Sequence, residues 1–294
     1  MKVLAYGGTG SQAGPTVTHL LKRGHTPHVL TRSHDKVAKL QEAGAVPVIT
    51  DLADFDRLCA ASNAVDAVAF LLPAFLENPD DGIRFGRHAI DAASQAGVEL
   101  FVWNTSGEVS DDDSASNPKL AILRHLQASQ LPYVLLEPTT YMENWLGPWT
   151  APSVRENNLL TYPVLADRKM GWIASDDIGA LVVAALEHPQ LAGSRYRVSG
   201  IETPTGPELA AIFTEACGRE IRYRTMTPEE MGAVLDEAFG AGAGDKVAEM
   251  YRQEQNDPDP PRKYHDMKPV LEALPVTIST ISDWVKGHKE AFVK

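Results

Sequence analysis

Tyr6-Gly7-Gly8-Thr9-Gly10-Ser11-Gln12-Ala13 is the stretch that decides how this chain folds. Before it, residues 3–6 form a short apolar strand. After it, residues 12–23 carry Ala13, Val17, Leu20 and Leu21 at helical spacing and stop at Gly24. A glycine-rich turn between a strand and a helix suits a phosphate. One small residue permits the tight turn, another lets backbone N–H groups approach the anion, and a third lets the helix pack on the strand. The helix N-terminus adds free donors and a partial positive charge. The spacing Gly8-x-Gly10-x-x-Ala13 in this context is the dinucleotide fingerprint.

The pattern continues outward. Strands are expected over residues 29–31, 46–50, 67–72, 100–104 and 133–136, alternating with helices over 35–43, 54–62, 80–96 and 119–129. Strands that are apolar throughout belong to a sheet covered on both faces, and repeated strand–helix–strand units pair in parallel. The fold class is therefore α/β, a doubly wound parallel (Rossmann) sheet. Its second strand ends Leu30-Thr31-Arg32-Ser33-His34 with no carboxylate before Asp35. An acid there holds the ribose hydroxyls of NAD, whereas a cation suits the 2′-phosphate of NADP. Arg32, with Ser33 or Lys36 assisting, points to NADP(H), with NAD(H) the alternative cofactor.

After Pro138 the periodicity is lost. Residues 141–172 are rich in Trp, Pro and Asn. A helix is expected over 175–187, a strand over 196–199, and a last helix over 279–292. Thr205-Gly206-Pro207-Glu208 and Thr227-Pro228-Glu229-Glu230 each place a hydroxyl three residues before a glutamate, the signature of a capped helix start. The expected division is a dinucleotide-binding domain over 1–144 and a smaller mixed α/β region over 145–294. The helix at 175–188 is expected to pack back on the first domain. The second region is expected over the carboxyl ends of the sheet, where ligands bind in such folds.

Composition bounds the function. The 294 residues are 44% apolar and 22% charged, ordinary for a globular enzyme. A formal net charge of -12 argues against a nucleic-acid or anionic-membrane partner bound through a basic face. No apolar run reaches the roughly 18 residues of a membrane span, and strand residues begin at Val3, so the chain reads as cytoplasmic. Cys59 and Cys217 read as buried free thiols. The histidines show no paired metal-ligand spacing, so no metal is expected.

Gly7–Gln12 with Leu20-Leu21-Lys22-Arg23-Gly24-His25 and Leu30-Thr31-Arg32 resembles the opening of the NmrA-like family of atypical short-chain dehydrogenase/reductases, which includes isoflavone-reductase-like enzymes. Leu131-Pro132-Tyr133, Glu137-Pro138-Thr139-Thr140-Tyr141-Met142-Glu143-Asn144, residues 171–179 and the closing Trp284, His288 and Phe292 are similar to it too. The family contains both reductases and cofactor-sensing regulators. The resemblance implies that Gly7, Thr9, Gly10, Ser11 and Gln12 form the pyrophosphate loop and that Arg32 meets the adenosine phosphate. It also implies that Asp51 and Leu52 lie at the adenine, Leu72, Pro73 and Thr105 near the nicotinamide ribose, and Pro138 to Tyr141 at the nicotinamide.

The catalyst is less plain. Conventional members use a Tyr and a Lys four residues on, yet no tyrosine occurs between Tyr6 and Tyr133. Tyr264-x-x-x-Lys268 has the spacing but lies in the Pro-rich C-terminal part, and its match is close to chance. Lys119 stands where the helix opens, twelve positions before Leu131-Pro132. In the isoflavone-reductase-like branch a lysine at this place is the proposed general acid/base; the other reading is a ribose ligand only. Leu123 departs from the acidic residue often found on that helix. Ser106 is either a donor to a substrate carbonyl or a turn former before Gly107. Tyr141, Trp145, Trp149, Tyr162 and Trp172 either line an apolar substrate pocket or form core. Two functions follow: an NADPH-dependent reductase of a small aromatic, quinone or enone substrate, or a non-catalytic NADP(H) sensor with a protein partner.

Overall fold

The computed structural model describes residues 1–73, 81–111 and 118–294. Asp80, expected to open a helix, lies outside them. The chain forms two units, Met1–Thr139 with Ser175–Val198 and Lys268–Thr277, and Thr140–Ala174 with Ser199–Met267 and Ile278–Lys294. A single cut after residue 144 is therefore replaced by a division in which the chain returns to the first unit twice.

The first unit holds seven parallel strands: β1 Lys2–Ala5, β2 Thr26–Thr31, β3 Val46–Ile49, β4 Ala67–Phe70, β5 Leu100–Asn104, β6 Tyr133–Pro138 and β7 Arg195–Val198. Their order is β7-β6-β5-β4-β1-β2-β3. Helices α1 Gly14–Lys22, α2 Val37–Glu42, α3 Phe55–Ser62, α4 Asp81–Ala96, α5 Pro118–Ala128 and α6 Ser175–Leu186 accompany them. Every residue of β4 and β5 is buried, as unbroken apolar runs in a doubly covered sheet require. Strand order reverses at β1, which pairs β2 on one side and β4 on the other. The carboxyl ends of β1 and β4 thus flank the switch point where such sheets take ligands. α6 lies close on the start of α1: a Cβ at Gly179 would sit 2.8 Å from backbone atoms of Pro15 and Thr16.

Local boundaries moved for local reasons. α1 begins at Gly14 rather than residue 12, because residues 6–13 are taken up by the turn. The helix expected over 35–43 is a 3-10 turn, His34–Lys36, followed by α2.

In the second unit Leu159–Tyr162 pairs with Arg222–Thr225, and Thr140–Tyr141 pairs with Trp172–Ile173, both in parallel. Helices Gly206–Cys217 and Pro228–Phe239 start with complete capping boxes at Thr205/Glu208 and Thr227/Glu230, as the sequence indicated. The last expected helix is two, Ile281–Gly287 and Lys289–Phe292, broken where the His288 ring stacks on Trp284 at 4.0 Å. Among the described residues no helix is long and apolar enough to cross a membrane. Both cysteines are free thiols. Cys217 is buried, but Cys59 is only half-buried, which corrects the expectation for that residue. Burial pushes both thiols above their ordinary range.

Candidate functional site

The glycines of the first loop divide their work differently from a simple reading of the fingerprint. Gly7 makes the turn, with φ of +70°, and its carbonyl accepts from the Gly10 N–H at 2.8 Å. Gly8 is the packing glycine: a Cβ there would lie 2.7 Å from Val17 Cγ2 and 3.0 Å from Val29 Cγ1. The loop therefore sits as low on β1 and β2 as a backbone can. Gly10 and Ser11 are exposed, and Thr9 and Gln12 are half-buried. α1 then starts at Gly14, with no side-chain cap from Ala13 before it and no acid in its first turn. The Gly14 N–H donates to the Gly10 carbonyl at 2.9 Å and Pro15 has no N–H, so what the helix start offers an anion is chiefly the positive end of its dipole.

Around this loop the other strand ends bring the expected residues to one edge. Arg32, at the end of β2, is exposed and only loosely paired, its Nη1 lying 3.9 Å from Asp51. An exposed pair at that distance is weak, so the guanidinium is available to a phosphate. Lys36 Nζ reaches the Thr9 carbonyl at 3.5 Å, which places a second cation at the loop. Leu52 follows β3, its carbonyl 3.0 Å from His88 Nδ1 of α4. Leu72 and Pro73 follow β4, and Thr105 and Ser106 follow β5.

The turn after β5 carries the chemistry. Thr105 Oγ1 donates to the Gly107 carbonyl at 2.7 Å, and Ser106 takes a positive φ of 49°, unusual for a residue with a side chain. Its Oγ donates to Gln12 Oε1 at 2.8 Å, tying this turn to the phosphate loop. Lys119, in the first turn of α5, donates from Nζ to the Ser106 and Gly107 carbonyls at 3.1 and 3.3 Å. The structure thus gathers Gln12, Ser106 and Lys119 into one hydrogen-bonded chain across the edge of the sheet.

Sequence reasoning missed the group beneath that turn. Glu137 of β6 is fully buried and meets Arg195 of β7 through Nε at 2.5 Å and Nη2 at 3.0 Å. The same carboxylate accepts the Val109 N–H at 2.8 Å, while Arg195 Nη2 donates to the Val109 carbonyl at 2.7 Å. Arg195 Nη1 reaches Asp111 at 3.2 Å. Hydrogen bonding to Glu137 holds the guanidinium above its ordinary pKa. A signal was present: one carboxylate inside an otherwise apolar strand must find a partner when the strand is buried on both faces.

Three expected substrate-lining residues lie in the second unit, where they are buried. Tyr141, Trp145 and Trp172 are 3%, 0% and 2% exposed. Trp145 packs on Trp172 at 4.6 Å, Phe213 at 5.3 Å and Trp284 at 5.5 Å between ring centres. Tyr162 packs edge-on against Trp172. The Trp145, Tyr162 and Trp172 rings fill one another's surroundings within the second unit's core, leaving no exposed face of Trp145 or Trp172 for a ligand. Tyr162 and Tyr251 share a buried hydroxyl contact at 3.3 Å, and burial pushes both phenols above their ordinary pKa.

A doubly wound parallel sheet with a glycine cradle at its switch point defines a dinucleotide-binding class of protein. The NmrA-like family model matches residues 1–273, and the chain belongs to that family. It is 29% identical to an NAD(P)H azoreductase of Xenophilus azovorans over 294 residues, 99% of each chain. It is 25% identical to quinone oxidoreductase 2 of Escherichia coli over 221 residues, covering 72% of this chain and 73% of the relative. The structure also superimposes on the Citrobacter sp. triphenylmethane reductase complexed with NADP(H), with a TM-score of 0.80 at 17% identity over 98% of this chain and 99% of that one.

Proposed function

We propose that this protein is an NADPH-dependent reductase of a small, conjugated, apolar substrate, a quinone, enone, aromatic carbonyl or azo compound. The observation that carries the reading is the Gln12–Ser106–Lys119 chain, which links the phosphate loop directly to an ammonium group at the carboxyl edge of the sheet. The cradle fits a dinucleotide: Gly7 turns, Gly8 admits no side chain, and α1 opens without cap or acid. Thr9, Gly10, Ser11 and Gln12 would hold the pyrophosphate, and Arg32 with Lys36 the adenosine 2′-phosphate. Asp51 and Leu52 would border the adenine, and Leu72, Pro73 and Thr105 the ribose near the nicotinamide. When bound, NADPH supplies the hydride.

The chain's own contribution is the proton. Lys119 Nζ donates to two backbone carbonyls, which direct it toward the turn after β5. An ammonium beside a substrate oxygen or nitrogen that gains electron density gives up a proton to it and regains one from water. The names of the azoreductase and quinone oxidoreductase relatives support this substrate class.

The test is NADPH oxidation against a panel of quinones, aldehydes and azo dyes, for the parent and Lys119→Ala. Loss of one proton donor is expected to lower kcat by roughly 100-fold or more while NADPH affinity changes little. Turnover unchanged in Lys119→Ala would remove its catalytic role. Tight NADPH binding with no turnover on any member of the panel would favour a cofactor sensor over an enzyme.

A further inference from the structure

The turn that carries the Ser106 and Gly107 carbonyls is held at its start by Thr105 Oγ1 on the Gly107 carbonyl, the Ser106 N–H on Asn104 Oδ1 and Ser106 Oγ on Gln12 Oε1. Ser106 sits at a positive φ and Gly107 at φ of +117°, a conformation few neighbouring sequences would keep unaided. The turn's far end is fixed four residues on from Thr105. Both backbone polar groups of Val109 are taken by one ion pair: its N–H by Glu137 and its carbonyl by Arg195. The pair joins neighbouring strands, since β7 runs parallel to β6 with Arg195 opposite Leu135 and Arg197 opposite Glu137. Val109 is itself 1% exposed, so its amide and carbonyl have no water to turn to if the pair is lost. Glu108 adds a weaker tie, 3.8 Å from Arg197.

We propose that the Glu137–Arg195 pair is a positioning device for catalysis, clamping the 105–111 turn to β6 and β7 so that the Ser106 and Gly107 carbonyls present the Lys119 ammonium beside the phosphate loop. The inference rests on the reading of Lys119 as proton donor. Neither residue touches the reacting atoms. The design has a physical logic: a bidentate Arg–carboxylate pair whose carboxylate is fully buried has one geometry, whereas a pair exposed on both sides has many. A turn bonded to it inherits that precision, and misplacing a catalytic group by about 1 Å can cost on the order of 100-fold in rate.

The experiment compares the parent with Arg195→Lys and with the doubly neutral Glu137→Gln/Arg195→Met, which leaves no buried charge alone should single variants fold poorly. Two readouts are taken on folded protein. Amide hydrogen exchange over residues 105–111 is expected to speed up by at least tenfold, with exchange in β4 and β5 unchanged. Turnover with NADPH is measured in the Lys119 and Lys119→Ala backgrounds. The clamp variants are expected to lower kcat by roughly ten- to 100-fold with Lys119 present, leave the NADPH dissociation constant within about threefold, and have no further effect once Lys119 is alanine. Unchanged exchange would overturn the clamp. An equal loss in both backgrounds would overturn its action through Lys119. A parent rate unaffected by Lys119→Ala alone would instead overturn the proton-donor reading, and is seen without any clamp variant.

Discussion

Gly8→Val is expected to weaken NADPH binding by ten- to 100-fold or more while leaving the protein folded. The added Cβ alone would stand 2.7 Å from Val17 Cγ2 and 3.0 Å from Val29 Cγ1, and valine's two methyls add to this. Neither neighbour can yield cheaply. Val29 is fully buried and Val17 nearly so, both are β-branched, and their methyl groups sit one bond from the backbone-fixed Cβ. The strain leaves only one exit, which is for α1 and the 7–13 loop to lift from β1 and β2. Overpacking of this kind costs roughly 1–3 kcal/mol of stability. The larger loss falls on the ligand, because a cradle displaced by a few tenths of an ångström no longer aims its amides at one pyrophosphate. About 1.4 kcal/mol of that interaction is a factor of ten in affinity. Isothermal titration with NADPH, alongside thermal unfolding, reads both effects. Unaltered affinity in a normally folded Gly8→Val protein would mean that the dinucleotide lies elsewhere.

Trp145→Ala is expected to cost about 3–5 kcal/mol of stability, the range for removing a large aromatic side chain from a packed interior. Trp145 is fully buried and touches three other aromatic rings, so truncation opens a cavity that rigid rings cannot collapse into. Denaturant unfolding measures it. The competing reading, that Trp145 lines a substrate pocket, expects the opposite pattern: near-normal stability with a raised KM for the substrate. A loss below about 1 kcal/mol together with a KM change would restore that reading.

The two cases show where the sequence was informative and where it was not. Alternating apolar runs and helical spacings, read locally, were enough for the sheet and its helices, and hydroxyl-to-glutamate spacing was enough for the helix starts at Thr205 and Thr227. The glycine turn was legible for the same reason, since its signature is written within a few residues. What stayed hidden depends on partners far along the chain. Glu137 and Arg195 are 58 residues apart, and nothing local to either names the other. The aromatic cluster had the composition of a ligand pocket, but Trp145 meets Phe213 and Trp284 only after the chain has returned. The discontinuous first unit was hidden likewise, because β7 joins the sheet beside β6 only after a long excursion. Lys119 was found by resemblance, and the carbonyls that hold it became visible only in the structure.

The central claim is that the glycine loop at the switch point holds NADP(H) and that Arg32 selects it. It is tested most directly by the dissociation constants of NADPH and NADH, measured by titration for the parent and Arg32→Ala. The parent is expected to bind NADPH in the micromolar range or tighter and at least tenfold more strongly than NADH, with Arg32→Ala losing most of that difference by weakening NADPH alone. No saturable binding of either nucleotide, or an undiminished preference for NADPH in Arg32→Ala, would contradict it.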